Sequence, residues 1–372
     1  MSHIFKKKAF KKTSYSIVFN AGSVFEKEGQ YGTMHLMEHL VCKTFKDMLD
    51  LFTVNGINFN AYTSNEHVVF YVNGLSSRLT NDIKFDFTKK ILGGLDKITE
   101  EEFENEKKTV IQEYLDNFQD VGGKLLNLLR TKFGTYNAIG LLQDIQNFTY
   151  KDMKATYKEM FKYPARIVEV GPTQTDLSKL KIEYKEEPVR PVNRIKYKKD
   201  WKLPIENTPD TDKATVVVLG KKLVSKADYP YMNLAAAMLS SGLNSPLYQE
   251  IREKKGLSYF SHASVEPVWK DSIWYFMATT TPENEETLKE VYKNVVADIK
   301  SYLTEARFND IISLANVEKE EKNLLRFAHV NDLINKGLPM MPDNLKKFTY
   351  EKLVEVVSKY INEKNTEFIT LR

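Results

Sequence analysis

Two histidines and a glutamate stand close together in "TMHLMEHLVCK", which begins at Thr33. The stretch is otherwise apolar nearly all round: Met34, Leu36, Met37, Leu40 and Val41 leave no wet face. On a helix, residues four apart share a face, about 6 Å apart along the axis. His35 and His39 therefore point the same way, and two imidazoles so placed can grip one tetrahedral zinc. Glu38 sits beside them, near enough to take a proton from water held at such an ion. A pair of core histidines bonded to backbone would account for the imidazoles alone. It does not account for the carboxylate, because a buried, unpaired carboxylate is costly or gives up its charge. A dication removes that difficulty.

Two histidines do not complete a site; a third ligand is needed, with a fourth position left open. Cys42 lies on the same stripe but about 10 Å along the axis from His35. One straight helix cannot wrap three ligands around one ion, so Cys42 is read as core. The third ligand must come from another element. "TEEEFENEKKTVIQEYLDNF" is a helix candidate over about 100–118. Thr99 and Glu102 form a capping-box signature, and the acids of its first turn suit the helix dipole. This helix offers Glu113. Glu106 lies two turns earlier on the same face, beside the apolar edge that holds Val110.

The elements that must position these groups follow from pattern. "SYSIVFNAG" is a strand ahead of the histidine helix. "VNGINFNAYTSNEHVVFYVNG" is two strands around a polar turn. An amphipathic stretch follows near "DFTKKILGGL". A helix, "TYKDMKATYKEMF", then leads into the strand "ARIVEVG". Between Leu180 and Lys213 the composition changes. Four of the 12 prolines fall there (Pro188, Pro191, Pro204 and Pro209) among many charges. This predicts an interdomain connection, with one strand, "RIKYKK", inside it.

After it the same order returns: strand "ATVVVLG", helix "YMNLAAAMLSS", strand "SIWYFMATT", helix "ETLKEVYKNVVADIKSYL". The ends of the halves match in letters as well. "FTYKDMKATYKEMF" starts at Phe148 and "FTYEKLVEVVSKYI" at Phe348, each followed by a strand. A period near 200 is too long for a solenoid. It predicts an α+β chain of two tandem homologous domains, each a mainly antiparallel sheet packed with helices. The boundaries expected are 1–182 for the first domain, 183–212 for the linker and 213–372 for the second.

Composition narrows the function classes. At 372 residues, the chain is long enough for two domains. Hydrophobic residues are 42 % and charged residues 28 %, a globular profile, and 21 Phe with 20 Tyr promise well-filled cores. A net charge of +4, from 54 basic and 50 acidic residues, argues against nucleic acid or an anionic membrane as partner. The single cysteine excludes an intrachain disulfide and a cysteine-rich metal site. No apolar run approaches the roughly 20 residues of a membrane span. The lysine-rich start, "MSHIFKKKAFKK", has no apolar core behind it and reads as a solvated basic arm leading into a strand, not as a secretory signal. A cytoplasmic setting is the expectation.

H-x-x-E-H, the reverse of the familiar H-E-x-x-H, followed about 70 residues on by an E-x6-E pair, resembles the pitrilysin/insulinase family of inverted zinc metallopeptidases. The size resembles its short, processing-peptidase branch. "NAYTSNEH" is similar to the family's N-A-x-T-S/T-x-E edge strand. "SPLYQEIREKKGLSY" is similar to its S-x-L-[FY]-x-x-[IL]-R-x-x-x-G-x-x-Y segment. One departure is Thr44, where the family usually has Gly after Lys. The resemblance implies zinc, one per chain, on His35, His39 and Glu113, with Glu38 as general base and Glu106 as a second acid near the site. It implies substrate binding by Asn60 and Ala61 on an exposed edge strand. It also implies roles for Arg252 and Tyr259 facing the zinc, Tyr259 donating to an oxyanion. The second half lacks H-x-x-E-H and should be catalytically silent. The expected function is zinc-dependent endopeptidase action on extended peptides or unfolded precursor segments. The alternative is a non-catalytic scaffold or regulatory subunit, though such members commonly lose a ligand or the base. Two domains would form one half of a clamshell, and a homodimer would supply the other.

Overall fold

The computed structural model describes residues 3–7, 11–119, 121–132, 138–161, 164–184, 212–268, 271–324 and 347–371. They form two compact units, one from residues 3–184 with 322–324 and one from residues 212–321 with 347–371. The expected linker at 183–212, with its strand "RIKYKK", lies almost wholly outside the described residues.

The first unit is a five-stranded sheet in the order β1-β5-β2-β4-β3. Its strands are β1 (His3–Lys7), β2 (Lys12–Phe19), β3 (Asn58–Thr63), β4 (Val68–Leu75) and β5 (Arg166–Gly171). Every pairing is antiparallel except β1 with β5. The basic start is therefore more than an arm: His3–Lys7 is a parallel edge strand. Its burial is only partial along its length, which is why alternation did not betray it.

One face of the sheet carries the helices α1 (Thr33–Lys43), α2 (Asn81–Gly93), α3 (Glu100–Gln119) and α5 (Tyr150–Thr156), and α4 (Val121–Lys132) packs against α3. Between sheet and helices lies an aromatic core that includes Tyr15, Phe19, Phe45, Phe70, Phe87, Phe103 and Phe161, all fully buried. The pleat sends alternate residues to the other face, where Val18, Val69, Val168 and Val170 are buried together. The capping box at the start of α3 forms as its letters predict. The Thr99 N–H donates to Glu102 Oε2 at 2.9 Å, and the Glu102 N–H donates to Thr99 Oγ1 at 3.2 Å. A second box, Thr149 with Asp152, starts α5.

The second unit is a four-stranded sheet in the order β7-β8-β6-β9. Its strands are β6 (Ala214–Gly220), β7 (Ser261–Val268), β8 (Asp271–Thr280) and β9 (Thr366–Leu371). Its longer helices are α6 (Tyr229–Ser240), α7 (Glu285–Ala297), α8 (Glu305–Leu324) and α9 (Tyr350–Tyr360). Set β6 against β2, β8 against β4, β7 against β3 and β9 against β5, and the orders coincide; β1 is the addition in the first unit. The repeat read from two short matching segments is thus a repeat of topology. No helix among the described residues is long and apolar enough to cross a membrane.

Helix α1 enters through a tight crossing of backbone. Gly32 has φ +94°, and a Cβ there would lie 2.5 Å from the Ile139 carbonyl oxygen. Gly140, with φ +76°, faces it; a Cβ on Gly140 would lie 2.1 Å from Gly32 Cα. The Leu141 N–H donates to the Tyr31 carbonyl at 3.1 Å, and the Tyr31 N–H to Asp144 Oδ2 at 3.0 Å, so the crossing is bonded on both sides. Gly32→Ala therefore meets both a left-handed φ and a backbone clash. We expect it to destabilise the chain by about 2 kcal/mol or more in urea unfolding. A loss under about 0.5 kcal/mol would show that the crossing yields easily.

Candidate metal centre

All eleven residues of "TMHLMEHLVCK" are helical. Its apolar side chains bury fully or nearly so, and so does Glu38, at 7 % exposure. His35 and His39 share one face, their rings meeting edge to face with centroids 4.7 Å apart. α3 runs alongside and brings in the acids. Glu113 Oε2 is 3.3 Å from His39 Nε2, and Glu113 Oε1 is 3.7 Å from His35 Nε2. One ligand atom from each of the three residues falls within 4.8 Å of the others. Donors about 2.0–2.2 Å from one tetrahedral zinc stand roughly 3.4 Å apart. The two Nε2–carboxylate spacings match that edge length. Two imidazoles and one carboxylate are also a donor set that zinc accepts, so the residues fit the ion.

The other ring nitrogen of His39 is held from behind. Nδ1 lies 3.2 Å from Glu106 Oε1, and Glu106 Oε2 accepts from Lys43 Nζ at 2.7 Å. Glu106 and Glu113, two turns apart on α3, thus take opposite sides of one imidazole. No hydrogen-bond partner meets His35 Nδ1 among the described residues, although it is buried.

Charge follows from these contacts. Burial, reinforced by neighbouring His39, lowers the pKa of His35 to about 4. Burial would also lower that of His39, but the bonds with Glu106 and Glu113 outweigh it and raise the value to about 9. Burial pushes Glu38 upward, against a hydrogen bond from Thr63 that pulls it down. Thr63 Oγ1 donates to Glu38 Oε2 at 2.6 Å. The thiol of Cys42 is pushed well up, first by burial and then by the charges of Glu38 and Glu106. It packs against the core and is not among the clustered donors. Thr44, the residue that departs from the usual Gly, has φ −68°, so the turn after α1 needs no glycine.

Strand β3 is the edge of its sheet, as expected. Phe59 and Ala61 face the helical core, while Tyr62 joins the cluster on the opposite face. Asn60 alternates with Ala61, and its Oδ1 accepts from the Ala61 N–H at 2.8 Å. Arg252 and Tyr259 belong to the second unit and lie together there. The guanidinium stacks 4.3 Å from the Tyr259 ring centroid and 5.0 Å from that of Tyr248. Gly256, between them in sequence, has φ +59° and makes the bend. Tyr259 is 82 % exposed.

Two matches to family models fall on this chain. Insulinase (Peptidase family M16) matches residues 4–132, and Peptidase M16 inactive domain matches residues 176–314. Together they span more than two thirds of it. The chain belongs to the M16, or insulinase, family of peptidases. The description "inactive" attaches to the half without H-x-x-E-H. There, α6 reads YPYMNLAAAMLS, with neither a histidine nor a glutamate. The zinc protease PqqE of Helicobacter pylori is 23 % identical, over 96 % of this chain and 86 % of its own. An uncharacterised zinc protease of Rickettsia bellii is 23 % identical, over 76 % and 71 %. A solved protease from Helicobacter pylori superposes with a TM-score of 0.80 at 16 % identity, over 100 % of this chain and 96 % of that one. A Peptidase M16 inactive domain from Pseudomonas fluorescens superposes at 0.71 and 16 % identity, over 99 % and 94 %. These structures share the fold.

Reading the sequence for chemistry missed Glu26, Thr63 and Lys43. Thr63 had a usable signal, since it lies two residues past Ala61 on the same face of a strand. Glu26 had none. From a loop ahead of α1, its carboxylate accepts from the Gly32 N–H at 3.0 Å and the Met34 N–H at 2.8 Å. It thereby caps the helix in place of an N-cap side chain. Burial raises its pKa to about 8, against the backbone donors of Met34, Gly32 and Thr33 that lower it. A group whose pKa rises on folding contributes stability that is complete below its unfolded value, near 4.5 here, and lost as pH climbs through 8. The unfolding free energy should therefore carry a downward slope between those limits, worth a few kcal/mol in all. Glu26→Gln should remove it. Denaturant melts of both proteins at stepped pH test this, and parallel profiles would refute it.

Proposed function

We propose that this chain is a zinc-dependent endopeptidase acting on extended peptides or unfolded protein segments. The observation that carries the reading is Glu38. It is a buried carboxylate beside a cluster of three metal donors, with one oxygen fixed by Thr63 and the other free of a side-chain partner among the described contacts. His35, His39 and Glu113 would hold the ion. When bound, zinc supplies Lewis acidity, polarising the scissile carbonyl and making water easier to deprotonate. Glu38 Oε1 takes the proton and then delivers it to the leaving amine. Glu106 holds the His39 ring in place through Nδ1.

The open edge of β3 supports an extended substrate. A peptide can add there as a further strand, held chiefly through its backbone, with Asn60 and Ala61 at the contact. Arg252 and Tyr259 enter the proposal as a stacked pair, Tyr259 as oxyanion donor. A homodimer is the assembly we propose, and light scattering tests it separately. The scaffold reading gains no support from the site, because neither the base nor a ligand is missing.

The decisive experiment is zinc content together with a peptide-library digest, before and after chelation. Chelation should abolish cleavage, and added zinc should restore it. His35→Ala, His39→Ala and Glu113→Ala should lose both zinc and activity. Glu38→Gln should keep zinc while kcat falls roughly 10²–10⁴-fold. Thr63→Val should lower kcat with zinc retained. Zinc-replete wild type that cleaves nothing in the library would favour the scaffold. A zinc-free Glu38→Gln protein would overturn the division between base and ligands.

A further inference from the structure

We propose that Lys43 is a positioning residue for the metal centre: it clamps Glu106 so that Glu106 orients His39. This rests on the zinc reading above and adds a residue to it.

The clamp is closed by one helix onto its neighbour. His39 and Lys43 are four apart, one turn of α1, and so lie on one face. Both reach the same carboxylate of α3. Glu106 Oε1 meets His39 Nδ1 at 3.2 Å, and Oε2 accepts from Lys43 Nζ at 2.7 Å. The Glu106 side chain is 13 % exposed and that of Lys43 30 %, so the carboxylate is mostly enclosed and the ammonium lies at the rim.

The geometry decides what the pair does. A carboxylate held by one oxygen can still swing about its side-chain torsions. Held by both, it presents Oε1 at a fixed place. For His39 Nε2 to offer its lone pair to an ion, Nδ1 must carry the proton and find an acceptor. Glu106 Oε1 is that acceptor, and Lys43 keeps it there. Lys43 is also the last residue of α1, where a cation suits the helix dipole. The same contact ties the end of α1 to α3, the helix that brings Glu113. An ion pair at this partly enclosed place could serve only to tie the two helices together. If this were its whole role, its loss would leave the metal site unchanged.

The test compares wild type with Lys43→Met, Lys43→Arg, Glu106→Ala and the double variant Lys43→Met/Glu106→Ala. Zinc affinity is measured by competition with a chromophoric chelator, and site geometry by the visible spectrum after Co2+ substitution. Lys43→Met keeps the stem and removes the charge. It should weaken zinc about tenfold, the low end for partners behind a metal ligand, and alter the Co2+ bands. Lys43→Arg should restore both. In the Glu106→Ala background, Lys43→Met should change affinity by less than about twofold, because Lys43 acts through Glu106. Unchanged affinity and spectrum in Lys43→Met overturn the proposal, as does a double variant showing both losses in full. Circular dichroism checks folding, and Lys43→Gln carries the same comparison if Lys43→Met does not fold. Wild type that takes up no zinc overturns the underlying reading, and this proposal with it.

Discussion

A helix buried on nearly every side can keep a carboxylate and two imidazoles only if its neighbours answer each polar group. That requirement governs the first unit. α1 sinks Met34, Leu36, Met37, Leu40 and Val41 into the core, each worth about 1.5–3 kcal/mol of burial. That gain anchors the helix, but it leaves the polar groups of α1 short of water. Apart from His35 Nδ1, they find their answers on three elements. Glu26, from the loop ahead, caps the first turn. Thr63, on β3, bonds Glu38. Glu106 and Glu113, on α3, take the imidazoles. The site is therefore a consequence of packing α1 against a strand edge and an acidic helix at once.

The second unit shows the same frame without that requirement. Helix α6 carries no histidine and no carboxylate, and most of its apolar side chains are buried. With no buried carboxylate there, nothing like the Thr63 or Glu106 contacts is needed around it. One topology thus carries a cluster of polar side chains on the helix of one unit and an apolar helix in the other. The stacked Arg252 and Tyr259 sit instead on a glycine-hinged bend of the second unit, close to the surface.

How legible the molecule was depends on how local each signal is. The i, i+4 histidines, the Thr99–Glu102 box and the strands flanking "SNEH" are set by neighbours in sequence, and they stand where pattern puts them. Local geometry set Cys42 aside, since seven residues along one helix is too far to close on an ion; the preference for Glu113 over Glu106 came from the family resemblance. The residues that escaped notice act across elements. Lys43 reads as an ordinary basic helix end until α3 is seen to bring Glu106 to it. Glu26 reads as one more acid in a polar loop. Its role depends on the path that loop takes back over α1, and that path is fixed by Gly32 against Gly140, more than 100 residues apart. β1 escaped for a similar reason: a parallel edge pairing leaves only a weak pattern in a short, lysine-rich strand.

β3 joins these threads. It is the edge of its sheet, and the pleat turns Phe59, Ala61 and Thr63 toward the helical face. Thr63 fixes one oxygen of Glu38, and Ala61 lies two residues upstream on the same strand. Any chain that paired with this edge would take its register from the backbone that also positions Glu38. Moving the strand by one residue would reverse its faces, turning Thr63 away from Glu38 and burying the position of Asn60 instead. The orientation of Glu38 and the strand register are thus a single constraint, and a substitution that loosens the pairing of β3 with β4 disturbs both together.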